Sequence, residues 1–222
     1  MTSQDVLNLI AKGEGFHVEF KRLVPSSEKI AKAMIAFANT KGGSILFGVD
    51  DDGSIVGVES EKTEVELLGE AGARYCEPPI RPLLDIVPFN GKDVIVARVE
   101  ESTEKPHQYI GENEDGRDAK VYIRVNDKTV LASKEVVKIL REERPDGEPL
   151  ELSIGENERR LFQYLEENER ITLKQFCHLV NISERRASRI LVKLVRARVV
   201  RIHTLEKEDF FTHAYDYNGK SS

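Results

Sequence analysis

The 222-residue chain has a formal charge of −6, with 40% hydrophobic and 32% charged residues. This composition excludes a disordered chain, because it supplies enough apolar residues for a core, and the length fits two small domains. No apolar run reaches the roughly 18 residues that span a bilayer, and the N-terminus lacks the pattern of a secretion signal. We therefore expect a cytoplasmic protein with no membrane partner.

The first part of the chain mixes helical and strand patterns, which is typical of an α/β or α+β fold. Apolar spacing predicts helices over residues 4–12, 28–39, 64–73 and 134–143, the last capped by Ser133. Strands are predicted over 18–25 and 121–125. Two turn sequences predict hairpins, DDDG at 50–53 within residues 44–58 and Asn90-Gly91 within 83–99.

The segment RPDGEP at residues 144–149 has the composition of a connection between domains. We place the domains at residues 1–146 and 147–222. Beyond the connection, apolar spacing predicts helices over 156–167, 173–179 and 184–195, followed by strands over 199–204 and 210–215. The fold class is thus a mixed sheet with helices, followed by a smaller winged-helix domain.

Asn181 and Ser183 separate the second and third helices of this smaller domain. Asn tolerates the left-handed conformation that ends a helix, and Ser can cap the next one, so a helix-turn-helix is predicted. Between Ser183 and His203 there are seven Lys or Arg and one acid, Glu184. Such a local positive charge suits phosphates in an otherwise acidic chain.

In a helix-turn-helix, residues near the start of the second helix reach base edges in the major groove of DNA. The candidate nucleic-acid-binding residues are Arg185, Arg186, Arg189, Lys193, Arg196 and Arg201. Arg198 is a further candidate beside the wing. The alternative is that these cations only solvate a helix, since winged helices also serve as protein-binding modules.

Three segments of the first domain are distinctive: EGFHVEFK at residues 14–21, AFANTKGG at 36–43 and GVDDDGSIVG at 48–57. With Pro106-His107 and VYIR at 121–124, they resemble the Schlafen AlbA-like domain family over roughly residues 3–140. Microbial members of this family often carry ATP-binding or transcriptional-regulator descriptions. They are often joined to a winged helix, which favours regulation over cleavage.

In nuclease members of that family, two glutamates five residues apart and a later aspartate bind a metal and cleave RNA. The resemblance implies that Glu14, Glu19 and Asp50 hold Mg²⁺ or Mn²⁺ as catalytic groups, with Lys21 neutralising a phosphate. Carboxylates bind such ions, which activate water and stabilise charge on phosphate. The alternative is that Glu19 is an ordinary strand acid and Asp50 an ordinary turn residue.

The resemblance also implies ATP, but Asn39-Thr-Lys-Gly-Gly43 lacks the spacing of a P-loop. We expect Gly42 and Gly43 to end a helix and to let the following strand turn sharply.

The leading hypothesis is a transcriptional regulator that binds DNA rather than RNA and acts as a homodimer, because recognition of half-sites requires two copies. The alternatives are a metal-dependent endoribonuclease acting on structured RNA, and an adaptor that binds ATP or another nucleotide.

Overall fold

The computed structural model divides the chain into two compact units, Met1–Ala132 and Ser133–Ser222. It describes residues 1–111, 119–143, 150, 152–205 and 208–214. The expected boundary between residues 146 and 147 lies outside the described residues. By its contacts, the helix after Ser133 belongs to the second unit, whereas the sequence interpretation placed it in the first. None of the helices within the described ranges has the length and apolar character needed to span a bilayer.

The first unit combines helices with a mixed sheet, as the sequence predicts. Its helices are α1 (Ser3–Lys12), α2 (Ser27–Asn39) and α3 (Glu61–Arg74). Its strands are β1 (Val18–Lys21), β2 (Gly43–Phe47), β3 (Cys76–Glu77), β4 (Leu83–Phe89), β5 (Lys92–Val99), β6 (Gln108–Tyr109), β7 (Tyr122–Val125) and β8 (Lys128–Leu131). The main sheet has the order β1-β2-β5-β4, in which only the β1–β2 pair is parallel.

The main sheet is covered on both faces, because successive residues of a strand point to opposite sides. In β2, Ile45 and Phe47 pack into the core that contains α2, whereas Leu46 packs into the core that contains Val6 of α1. The edge strand β1 follows the same alternation. Its apolar residues Val18 and Phe20 belong to the α1 core, so Glu19 points to the side that α2 covers.

The predicted hairpin over residues 83–99 is confirmed as β4–β5. Asn90 and Gly91 have φ of 48° and 79°, the left-handed values that a tight two-residue turn requires. The predicted hairpin over residues 44–58 forms only at its turn. An antiparallel bridge between Val49 and Ile55 and the hydrogen bonds of Asp50, Val56 and Gly57 join the arms next to the DDDG turn, but no second strand pairs with β2 there. Strand β2 already pairs with β1 and β5, so no edge remains for residues 55–58.

The second unit contains the helices and strands that the sequence predicts, with one addition. Its elements are α4 (Lys134–Glu142), α5 (Glu156–Glu167), β9 (Ile171–Thr172), α6 (Leu173–Val180), α7 (Glu184–Arg196), β10 (Val200–His203) and β11 (Phe210–His213). Strand β9, which was not predicted, completes a three-stranded antiparallel sheet in the order β10-β11-β9. Fully buried Leu161, Phe176, Leu191 and Phe211 join the three helices α5 to α7 and this sheet in one core.

Candidate nucleic-acid interface and carboxylate cluster

Helix α7 has three distinct faces. One face enters the core of the second unit through buried residues, among them Ala187, Leu191 and Leu194. The second face meets α4 through Ser188, which hydrogen-bonds to Glu135 and Lys138, and at the end of α7 Arg196 hydrogen-bonds to Glu142. The third face is open to solvent. It carries four exposed cations, named here the α7 cations: Arg185, Arg186, Arg189 and Lys193.

The start of α7 is set by the turn that precedes it. Asn181 ends α6 in the left-handed conformation, with φ of 52° and ψ of 54°. Ser183 then turns into an extended conformation, and its carbonyl oxygen accepts hydrogen bonds from the amides of Arg186 and Ala187. The Ser183 side chain makes no capping bond, so only its backbone performs the predicted capping role. Arg185 and Arg186 consequently lie in the first turn of α7.

The structure brings four of the six predicted nucleic-acid-binding residues onto one exposed face. None of these α7 cations forms an ion pair with another described residue. Arg196 lines the same groove as Arg186, Arg189 and Lys193, but it is bound to α4. Its side chain is 13% exposed, and its guanidinium donates to the Glu142 carboxylate at 2.9 Å and to the Glu142 carbonyl at 3.2 Å. Arg201 is exposed on β10, opposite Thr212 of β11. Arg196 is therefore an anchor between α7 and α4.

The candidate catalytic residues of the first unit are grouped only in part. Glu14 lies outside β1 but reaches it, because its Oε1 accepts a hydrogen bond from the Phe20 amide at 2.8 Å. Glu14 therefore lies beside the strand that carries Glu19. Asp50 follows β2 in the DDDG turn, where its carboxylate pairs with Arg22 at 3.4 Å and accepts from the Asp51 amide.

Glu19 is held between two cations, and both of its carboxylate oxygens are engaged. Oε2 lies 2.5 Å from Nη1 of Arg124, and Oε1 lies 2.9 Å from Nζ of Lys21. We name these three residues the Arg124 cluster. Lys21 thereby neutralises Glu19 in this structure, whereas the sequence assigned it to a phosphate.

Arg124 is the member of this cluster that sequence reasoning did not single out. It is only 3% exposed, yet its guanidinium also donates to the carbonyls of Gly15 and Asp127, at 2.8 and 2.9 Å. It lies 4.6 Å from the centre of the Phe37 ring of α2. A signal was present in the sequence. A charged residue between the apolar Ile123 and Val125 of a strand needs a buried partner of opposite charge, and Glu19 between Val18 and Phe20 has the matching pattern.

The residues of this region do not fit a divalent metal as they stand. A carboxylate ligand must offer a free oxygen to the ion, but Arg124 and Lys21 occupy both oxygens of Glu19. Among the described residues, no group of three or more His, Cys, Asp or Glu is arranged to hold a metal ion. We accordingly derive no metal-dependent step from this arrangement.

The residues at 39–43 are hydrogen-bonded to, or packed tightly against, other parts of the protein. The side chain of Asn39, the last residue of α2, accepts from the His107 amide at 2.7 Å and donates to the carbonyls of His107 and Tyr122. Gly42 has φ of +67°, and a Cβ there would lie 2.7 Å from the Val99 carbonyl. A Cβ on Gly43 would collide with the Phe37 ring. Gly43 thus allows α2 to pack closely on β2, and Gly42 lets the chain pass close to the end of β5, which supports the structural role that the sequence suggested for both.

The carboxylate of Asp209, at the start of the β10–β11 strand pair, accepts a hydrogen bond from the Ser133 hydroxyl, which also caps α4. Burial raises the pKa of Asp209, and the negative charges of Glu135 and Glu208 add to this effect. Hydrogen bonds from Ser133 and Thr204 oppose it. This contact ties the start of α4 to the three-stranded sheet.

Comparison with known proteins identifies the first unit. The family described as "Schlafen, AlbA_2" matches residues 14–133, which include Glu14, the Arg124 cluster and the glycine pair. The chain belongs to the Schlafen AlbA_2 family. This membership indicates a function associated with nucleic acid, at a level that does not separate DNA from RNA.

Two solved structures are similar to parts of this Schlafen AlbA_2 protein. The N-terminal domain of a RecG-related protein from Nitrosomonas europaea is 26% identical, with 51% of this chain and 83% of that chain covered and a TM-score of 0.43. The DIP2311 protein from Corynebacterium diphtheriae is 20% identical, with 66% of this chain and 29% of that chain covered and a TM-score of 0.45. Both TM-scores are too low to support an argument about function. No curated protein matches the chain.

Proposed function

We propose that this protein binds duplex DNA through its second unit, a winged helix-turn-helix, and acts as a transcriptional regulator. The observation that carries the proposal is the exposed set of α7 cations, which form no ion pair within the described part of the chain, on the helix that follows the turn at residues 181–183. Cations whose charge is not neutralised within the protein are free to bind phosphates and displace their counterions.

The order of elements supports the winged-helix assignment. Helix α5, strand β9, helices α6 and α7, and the strand pair β10–β11 follow one another, and β9 pairs with β11. In this arrangement α7 is the recognition helix and the β10–β11 strand pair is the wing. Exposed Arg201 then lies on the wing.

Duplex DNA fits this surface better than duplex RNA does. The major groove of B-form DNA admits an α-helix, whereas the major groove of A-form RNA is too narrow for side chains to read. Arg185, Arg186 and Arg189 occupy the first half of α7, the part of a recognition helix that reaches base edges. A homodimer would place two such helices on successive half-sites, with the Schlafen AlbA_2 unit contributing dimer contacts, ligand sensing or further DNA contacts.

The test is a binding titration of Arg186→Ala/Arg189→Ala with labelled duplex DNA at several salt concentrations. Affinity is expected to fall at least about tenfold near physiological salt. The slope of log affinity against log salt is expected to lose about 2 in magnitude, since each phosphate contact contributes about 0.9. Both effects follow from the loss of two cations from the interface.

The matched control is Lys62→Ala/Arg74→Ala, which removes two exposed helical cations whose own neighbours are acidic. Lys62 pairs with Glu66 and Arg74 with Glu70 on α3, so these cations are poor phosphate ligands. The control is expected to bind DNA as the wild type does. Equal binding by the wild type and the Arg186/Arg189 variant would refute the proposal, as would a wild type that does not bind DNA at all.

One observation keeps an endoribonuclease as the second candidate function. The Glu14 side chain does reach the strand that carries Glu19, which the sequence alone did not establish. Cleavage would require Glu19 to be released from Lys21 or Arg124. The test is incubation of labelled structured RNA with wild type and Glu19→Gln, in Mn²⁺ or in EDTA. Cleavage that needs Mn²⁺ and disappears in the variant would favour the nuclease, whereas intact RNA in every sample would remove this candidate.

A further inference from the structure

Helix α4 is fastened to α7 at two points that lie two helical turns apart. At the first point, the buried Ser188 hydroxyl donates to Glu135 and accepts from Lys138, each at 2.7 Å. At the second point, Arg196 donates to Glu142. Helix α4 therefore packs along most of the length of the proposed recognition helix, α7.

These contacts neutralise the acids that α4 turns toward α7. Glu135 is 14% exposed and is held by Ser188 and, at 3.8 Å, by Lys138. Glu142 is paired with Arg196. An anion that approaches α7 from the side of α4 consequently meets carboxylates whose charge is already compensated.

The solvent side of α4 is basic. Lys134, Lys138 and Arg141 are spaced i, i+4 and i+7, which places them on one helical face, opposite the buried Val136 and Ile139. We name these three residues the α4 cations. Lys134 and Arg141 are exposed and form no ion pair with another described residue.

Lys138 lies between the other α4 cations and the α7 cations. It lines a groove of about 1000 Å³ together with Arg186, Arg189 and Lys193 of α7. Three acids also line this groove, Glu142, Glu156 and Glu158, of which Glu142 is paired with Arg196. Lys134 and Arg141 do not line the groove, so they extend the positive charge along the solvent side of α4 beyond it. A polyanion that reaches past the groove can contact both helices.

We propose that the α4 cations form a second row of DNA phosphate contacts beside the recognition helix. This inference rests on the proposed function. Lys134 and Arg141 are seven residues apart, which is about 10 Å along a helix at 1.5 Å per residue. Because one strand places a phosphate every 3.4 Å along the duplex axis, two side chains this far apart reach different phosphates. Lys134 and Arg141 hold the backbone, Lys138 stays bound to Ser188 and Glu135, and the α7 cations reach the bases.

The test is the same titration with labelled duplex DNA, performed on full-length Lys134→Gln/Arg141→Gln. Both side chains are exposed, so the fold should be retained, which the far-UV circular dichroism spectrum and Tm verify. Affinity is expected to fall about fivefold at near-physiological salt, with a loss of about 2 in the magnitude of the salt slope. The change in slope distinguishes lost phosphate contacts from a general weakening of the structure.

The control for this variant is Lys62→Gln/Arg74→Gln, for which no change is expected. If Arg186→Ala/Arg189→Ala weakens binding but Lys134→Gln/Arg141→Gln leaves affinity and salt slope unchanged, the second row is refuted and the proposed function stands. If neither variant alters binding, both proposals are refuted. A parallel loss of affinity in the Lys62/Arg74 control would also overturn the second row, because the effect would then follow net charge alone.

Discussion

The two units use positive charge in opposite ways. In the first unit, Arg124 points inward, and its side chain is 1% exposed and bound to Glu19. In the second unit, the α7 cations point outward and have no acidic partner among the described residues. A buried cation with its partner fixes the packing of a fold, whereas exposed unpaired cations contribute little to stability and remain available to a ligand. Burial and pairing therefore separate the charges that stabilise this fold from those that stay open to solvent.

The largest loss of stability is expected from Arg124→Met, which removes the buried cation. The substitution leaves Glu19 on the side of the sheet that α2 covers, with Lys21 as its remaining ion-pair partner, and leaves the carbonyls of Gly15 and Asp127 without their donor. We expect a loss of about 3 kcal/mol in the free energy of unfolding, because a buried charge loses its main partner. Urea unfolding followed by circular dichroism measures this loss.

Lys21→Met is the matched control, since it removes the other cation from the same carboxylate. The Lys21 side chain is 34% exposed, so water screens its ion pair with Glu19. We expect a loss below about 1 kcal/mol. Equal losses in the Arg124 and Lys21 variants would show that burial does not separate the two roles.

A smaller effect is expected from Ser188→Ala on the α4 side of α7. The hydroxyl is 1% exposed and bridges Glu135 and Lys138, which remain within 3.8 Å of each other without it. We expect a loss of about 1 kcal/mol on unfolding in urea, the usual value of a buried hydrogen bond. Ser183→Ala is the control, because the Ser183 side chain makes no capping bond and its removal should cost less than about 0.5 kcal/mol.

The smallest effect concerns pH and Asp209. Burial raises the pKa of this carboxyl group above its usual value of 3.8 in the folded state. Protonation therefore favours folding: the stabilisation is complete below the unfolded-state pKa and is lost as the pH rises through the folded-state pKa. Asp209→Asn cannot ionise but can still accept the Ser133 hydrogen bond. We expect its Tm to exceed that of the wild type slightly at pH 7 and to match it near pH 3, while a fixed difference at both pH values would contradict the raised pKa.

Local patterns predicted the helices of both units and the longer strands, but not β3, β6, β8 or β9, because local spacing determines a helix more fully than a short strand. Apolar spacing located the helices α5, α6 and α7, and Asn90-Gly91 located a hairpin. Pairing between distant segments was harder to predict. The DDDG turn was identified, but the sequence did not show that β1 and β5 occupy both edges of β2. Strand β9, with two residues, is too short for a periodic signal.

The candidate site shows the same limit. The α7 cations were predicted because helical spacing determines which residues of α7 face solvent. Arg196 follows the same spacing, yet it is engaged by Glu142 of α4, a contact between separate elements. The link between Arg124 and Glu19 spans 105 positions, and only the fold brings the two residues together. Long-range ion pairs of this kind determine which cations remain unpaired and can bind a ligand.

The most direct measurement compares Glu19→Gln with Arg186→Ala/Arg189→Ala, each assayed for unfolding in urea and for binding to labelled duplex DNA. We predict that each variant loses one property, stability or DNA binding, and keeps the other. The Glu19 variant should unfold more readily and, while folded, bind DNA like the wild type, whereas the Arg186/Arg189 variant should keep its stability and lose affinity. Lost DNA binding in a folded Glu19→Gln protein, with unchanged binding in the Arg186/Arg189 variant, would contradict the division of charge between the two units.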